Sequence, residues 1–253
     1  MSLSDELPPL DCHAHIAPDV TATQVEALGG AVVFAVTRTP AEAVFAGRRR
    51  DATLVWGSGV HPGVAAALRD FQAQEFRSTV RTHCLIGEVG LDRRGDLQRQ
   101  TQVLTDVLAA VKDEPVLLSL HSTGRTGPLI DLLTARPHPG MILHWFLGSP
   151  QERQQALDLG AYFSVNAAMP PDSLAGIPLH RLLPETDFPA SRRATGAKLP
   201  GRTSAFEQQL AQLHGTTTSL IRRRMWQNLR ELTTRTHVLD RLPEHIADLI
   251  LEA

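Results

Sequence analysis

Residues 9–15 read Pro-Leu-Asp-Cys-His-Ala-His. The run is short, begins apolar and ends on two histidines placed two residues apart. Side chains alternate along an extended strand, so His13 and His15 are expected to face the same way, with Asp11 behind them. Similar runs recur downstream at 31–37, 53–60, 83–89, 115–121, 141–146, 161–166 and 181–187, which with the first makes eight candidate strands. Several are rich in Val, Ile and Leu without polar alternation, as in strands buried on both faces.

Helical periodicity fills the intervals. Amphipathic patterns cover 22–28, 40–50, 64–80, 97–113, 127–136 and 150–159, and three more follow the last strand at 203–214, 216–234 and 240–252. Pro40 and Pro150 sit where proline favours helix initiation. Strict alternation with eight strands predicts an α/β fold of the (β/α)8 TIM-barrel type. An open doubly wound sheet is the rival, but no Gly-x-Gly-x-x-Gly or P-loop supports it. No linker or repeat divides the chain, so residues 1–253 are expected to form one barrel domain.

Composition narrows the function. Twenty-five basic and 27 acidic residues leave a formal charge of -2, which excludes a polycationic coat for nucleic acid but not a local basic site. Only Lys112 and Lys198 among the basic residues are lysines. Two cysteines, Cys12 and Cys84, are too few for a disulfide framework. Neither a membrane-length apolar run nor a secretory start is visible, so a cytoplasmic setting is expected.

Barrel enzymes assemble their sites where the strands end. Here the strand ends carry His13 and His15, His61, Glu88, His121, His144 and Asp187. One histidine at such a place is ordinarily structural. Ionisable groups from six strands converging on one rim are costly to bury without a metal or partners. Mixed imidazole and carboxylate donors suit zinc, manganese or iron, and magnesium less well.

The segments Asp11-Cys12-His13-Ala14-His15, Gly59-Val60-His61-Pro62, Gly87-Glu88-Val89-Gly90-Leu91-Asp92, His121-Ser122, His144-Trp145-Phe146 and Glu185-Thr186-Asp187, in this order, resemble the TatD family of metal-dependent hydrolases. The run Trp226-Gln227-Asn228-Leu229-Arg230-Glu231-Leu232 is similar to its C-terminal helix signature. Within the family, 142–146 and 161–166 resemble the branch found in the Qat anti-phage defence system.

The resemblance implies two divalent metal ions (Zn, Mn or Mg). His13, His15 and Asp187 would hold the first, His121 and His144 the second, and Glu88 would bridge them. Related barrels bridge with a carbamylated lysine, but Lys112 and Lys198 lie outside the ligand-bearing strands. The implied activity is hydrolysis of DNA phosphodiester bonds by a water that the ions activate, with Asp187 and Glu88 as catalytic residues. Substrate contacts are expected from His61, Arg93, Arg94, Arg125, Arg192 and Arg193, the arginines gripping phosphate. A net negative chain favours a single strand or a DNA end over duplex. Two alternatives stay open: a small-molecule hydrolase of C–N or ester bonds, and a partner-dependent subunit of a defence complex.

Overall fold

A computed structural model describes residues 7–190 and 192–253, Arg192 by its backbone alone. Eight parallel strands follow one another around a single sheet: β1 (Leu10–His15), β2 (Val32–Val36), β3 (Leu54–Ser58), β4 (Leu85–Gly90), β5 (Leu117–His121), β6 (Met141–His144), β7 (Tyr162–Val165) and β8 (Leu182–Pro184). The helices between them are α1 (Ala22–Glu26), α2 (Pro40–Ala46), α3 (Ala65–Asp70), α4 (Ala73–Val80), α5 (Leu97–Val111), α6 (Thr126–Ala135), α7 (Pro150–Asp158) and α8 (Pro171–Ala175). After β8 come α9 (Arg192–Thr195), α10 (Ser204–Leu213), α11 (Thr218–Thr236) and α12 (Glu244–Glu252). This is the expected (β/α)8 barrel.

Strand residues are buried throughout except His15, because helices cover the outside and facing side chains fill the inside. α5 shows how a helix is made for this layer. Gln100, Val103, Leu104, Val107, Leu108 and Val111 are buried at three- and four-residue spacing, and Asp96 caps its first turn. Each fully buried Val or Leu contributes about 1.5–3 kcal/mol. Thr39 and Ser149 cap α2 and α7, and Pro40 and Pro150 occupy the first helical position as read from sequence.

Some boundaries differ from expectation. The pattern at 64–80 is two helices, broken where Phe71 turns extended (φ -65°, ψ 126°) and packs its ring 5.6 Å from that of Phe76. α2 stops at Ala46, before the arginines at 48–50. Arg49 instead pairs with Asp51 at 2.8 Å and lies over the Trp56 ring. α8, between β7 and β8, had no counterpart in the sequence reading.

The ring closes between its first and last strands. The Asp187 amide donates to the His13 carbonyl (2.9 Å) and the His15 amide to that of Phe188 (2.6 Å). α11 ties this seam from outside. Trp226 Nε1 donates to the Pro8 carbonyl, ahead of β1, at 2.9 Å. Asn228 Nδ2 donates to Leu179 and Leu182, at the start of β8, at 2.8 and 2.7 Å. Both side chains are fully buried. No helix among the described residues is long and apolar enough to cross a membrane.

Candidate metal centre

Two strands depart from regular pairing, and both carry site residues. In β1, Asp11 pairs with Val33 but Ala14 with Ala35, so one extra residue is inserted around His13. In β4, Ile86 pairs with Leu118 but Val89 with Leu120, which inserts one around Glu88. Bulges of this kind re-aim side chains. The backbone beside Glu88 is also crowded: a Cβ on Gly59 would meet the Thr37 carbonyl and the Glu88 amide. Glycine at 59 is what lets the β3 end lie against β4.

The expected ligands meet on Glu88. Its Oε1 lies 2.9 Å from His144 Nε2 and makes a closer contact with His121 Nδ1. Its Oε2 lies 3.2 Å from His15 Nε2, 3.4 Å from His61 Nε2 and 3.9 Å from His13 Nε2. Asp187 Oδ1 stands 3.7 Å from both His13 and His15 Nε2. His121 and His144 thus face one oxygen of the carboxylate, and His13 and His15 the other. Three overlapping groups have ligand atoms close enough to share an ion: His13–His15–Glu88, His13–His144–Asp187 and His61–Glu88–His121. The last includes His61, which the sequence reading reserved for substrate.

These residues fit metal ions. His13 Nε2 and Glu88 Oε2 are buried without a hydrogen-bond partner, an expensive state unless something else satisfies them. Donors around a tetrahedral zinc lie about 3.4 Å from one another. The separations on the His13–His15–Asp187 side, 3.2 to 3.9 Å, bracket that value.

The electrostatics ready Glu88 and His13 for a cation and favour protons on His144 and Asp187 that a cation must displace. Burial pushes the Glu88 carboxyl up, but the His144 charge and the close imidazoles of His121, His144 and His15 outweigh it and hold it well below the usual carboxylate range. His144, facing Glu88 and Glu185, is raised well above an ordinary imidazole despite its burial. His13 is held well below by burial and by His144, and burial brings His61 down to about 4. Burial raises Asp187 to about 7, with His144 opposing and Glu185 and Glu88 adding to the rise.

Supporting residues surround the cluster. Asp92 is fully buried, accepts from His121 Nε2 at 2.9 Å, and is clamped by Arg94 through Nε (2.9 Å) and Nη2 (2.6 Å). Ser119 Oγ lies 2.7 Å from His13 Nδ1. Glu185 Oε2 is 3.8 Å from His144 Nδ1, held there by Ser164 (2.5 Å) and Asn166 (2.9 Å). Asp11 accepts from the Thr186 amide (3.0 Å) and hydroxyl (2.6 Å) and from the Gly201 amide (2.8 Å), which binds the segment carrying Asp187 to β1. The sequence reading gave no role to Ser119 or Glu185. Ser119 precedes His121 by two residues, a spacing that could have flagged it. Asp187 (φ 45°) and Trp145 (φ 39°) both occupy the left-handed region, which costs a side-chain-bearing residue about 1–2 kcal/mol.

The arginines divide. Arg94 is paired with Asp92 although 66% of its side chain is exposed. Arg125 Nε donates to the Asp92 carbonyl at 2.8 Å and so braces the loop after β4. Arg93 and Arg193 are exposed, and the side chain of Arg192 lies outside the described residues. His61 accepts from the Gly63 amide at Nδ1 (2.9 Å), capping its turn while Nε2 points at Glu88.

A parallel barrel whose strand ends pool five imidazoles and two carboxylates has the makings of a metal-dependent hydrolase. The sequence profile described as TatD related DNase matches residues 10–234, and the chain belongs to that family. It is 30% identical over 148 residues to the uncharacterized metal-dependent hydrolase YjjV of Escherichia coli K12, a match spanning 52% of this chain and 56% of that protein. It is also 30% identical over 169 residues to the 3'-5' ssDNA/RNA exonuclease TatD of Klebsiella pneumoniae strain 342, spanning 56% and 64%. Both matches thus span less than two thirds of these relatives' length. Among solved structures, the TatD homolog YjjV of E. coli K12 superposes with a TM-score of 0.76 at 22% identity, covering 88% of this chain and 97% of that one. A TatD family hydrolase from Entamoeba histolytica gives 0.69 at 14% identity, covering 90% and 98%.

Proposed function

We propose that this chain is a two-metal deoxyribonuclease that hydrolyses phosphodiester bonds of DNA, presented as a single strand or an end. One observation carries the reading: His121 and His144 face one oxygen of Glu88, and His15, His61 and His13 face the other. In this reading His13, His15 and Asp187 would hold one ion and His121 and His144 the other, with Glu88 available to both. Divalent ions (Zn, Mn or Mg) bound there supply Lewis acidity and bring the pKa of a water towards neutrality.

The chain's own groups do the rest. Asp187 Oδ1, at the edge of the cluster and 3.7 Å from both His13 and His15 Nε2, accepts the proton of the attacking water. His61 is neutral at pH 7 and its Nε2 donates to a phosphate oxygen, because Nδ1 is occupied by the Gly63 amide. Arg93 and Arg94 follow β4 and Arg193 follows β8, and in this reading they contact the strand, while Arg125 holds the loop that carries the first two. The family description and the Klebsiella relative's name support nucleic acid as substrate.

The test pairs metal analysis with a nuclease assay on the wild type and Glu88→Gln. About two divalent ions per wild-type chain are expected, with ions and cleavage both lost in the variant. Full DNA cleavage by a metal-free sample overturns the proposal.

A further inference from the structure

Two cavities at the catalytic rim share a wall. The inner, of about 250 Å³, reaches His121, His144 and Asp187. The outer, of about 630 Å³, runs to Arg93 and the start of α6. Ser122, Thr123, Trp145 and Leu147 line both, so one trough leads from the ligand cluster across the ends of β5 and β6.

We infer that this trough is a nucleotide subsite: it holds the nucleotide beside the scissile phosphate of a single strand, with the base on Trp145 and Leu147 and the phosphate between Arg93 and the hydroxyls of Ser122 and Thr123. The inference rests on the nuclease reading and adds to it where the strand lies. Four observations support it. Arg93 is exposed and its guanidinium makes no ion pair among the described residues, unlike that of Arg94. Ser122 is only 6% exposed, yet its hydroxyl has no partner among the described residues and the residue opens into both cavities. Trp145 is kept in the left-handed region, a conformation that persists where surrounding structure demands it and that marks functional positions. Leu147 is 61% exposed beside it, an apolar surface that a base can cover.

Charge fixes the polarity of the trough. Glu152, which lines its far end, reaches back to the Ser149 amide (2.7 Å) and leaves its other oxygen beside Gly127. That carboxylate repels a phosphate from the start of α6, so the anion belongs at Arg93. One stacking wall with one unpaired guanidinium matches a single strand and not the paired backbones of a duplex.

The test is binding of fluorescein-labelled pentathymidylate, read by anisotropy in EDTA, to the wild type and to Trp145→Ala, Trp145→Phe and Arg93→Ala. Thermal melts confirm that each variant is folded. Trp145→Ala is expected to weaken binding about tenfold, and Trp145→Phe, which keeps a ring, by less than about threefold. Arg93→Ala weakens binding and reduces the slope of log Kd against log salt by about 0.7, whereas Trp145→Ala leaves that slope unchanged. Wild-type affinity in both alanine variants, or no binding by the wild type, overturns the trough. Cleavage of the same oligonucleotide with manganese is scored separately. Cleavage with unaffected variant binding removes the trough and leaves the nuclease. Binding that depends on Trp145 and Arg93 without cleavage under any divalent metal removes the nuclease and keeps the trough.

Discussion

His121 is held from both sides: Nε2 lies 2.9 Å from Asp92 Oδ2, and Nδ1 faces Glu88. The Asp92 bond fixes the tautomer, leaving the Nδ1 lone pair as the atom that can bind a metal. Asp92→Asn keeps the shape and removes the charge. Divalent-metal affinity, measured by calorimetry on the folded variant, is expected to fall about 10–100-fold. Unchanged affinity would remove Asp92 from the site's support.

Asp187 couples metal uptake to protons. With its carboxyl raised to about 7 by burial, it is largely protonated at pH 6, and a cation must displace that proton. Zinc added at pH 6 is expected to release about one more proton from the wild type than from Asp187→Asn. Calorimetry in two buffers of different ionisation enthalpy gives the count, and equal release by both proteins contradicts the assignment.

His61 gives the metal-free protein an acid liability. Its pKa falls from 6.5 to about 4 on folding, chiefly through burial. The unfolded chain therefore takes up the proton first. The stability that the neutral ring contributes is complete above pH 6.5 and is lost as pH falls through 4. By pH 4, wild type should have lost up to about 3 kcal/mol relative to His61→Asn. Urea unfolding at pH 4, 5, 6 and 7 measures the difference, and a pH-independent gap refutes it.

The seam helix makes a prediction far from the chemistry. Asn228→Ala strips Leu179 and Leu182 of their buried donors. Such a change is expected to cost about 2–3 kcal/mol in urea unfolding of the metal-free protein. A loss below about 0.5 kcal/mol would show that water or backbone movement replaces both bonds.

Much of this was legible in the residues. The strands announce themselves because a barrel strand is buried on both faces, and the candidate ligands because histidines and carboxylates stand at the ends of those strands. Parallel strands in sequence order bring those ends to one rim. What the sequence hid depends on distance in space. The bulges around His13 and Glu88 insert one residue against a neighbouring strand, and no local pattern records a neighbour's register. Arg94 looked free as a phosphate hook because its partner, two residues back, folds beneath it. The break at Phe71 was invisible because apolar periodicity continues across it, and the aromatic side chain chooses the core over the helix.

The outside fastening by Trp226 and Asn228 comes from a helix that follows every proposed ligand along the chain. A polypeptide cut short before α11 keeps the bonds from Asp11, His13 and His15 to residues 186–188 but loses that outer clasp, so the two ends of the barrel, and the imidazoles and carboxylate they carry, are held less firmly in register.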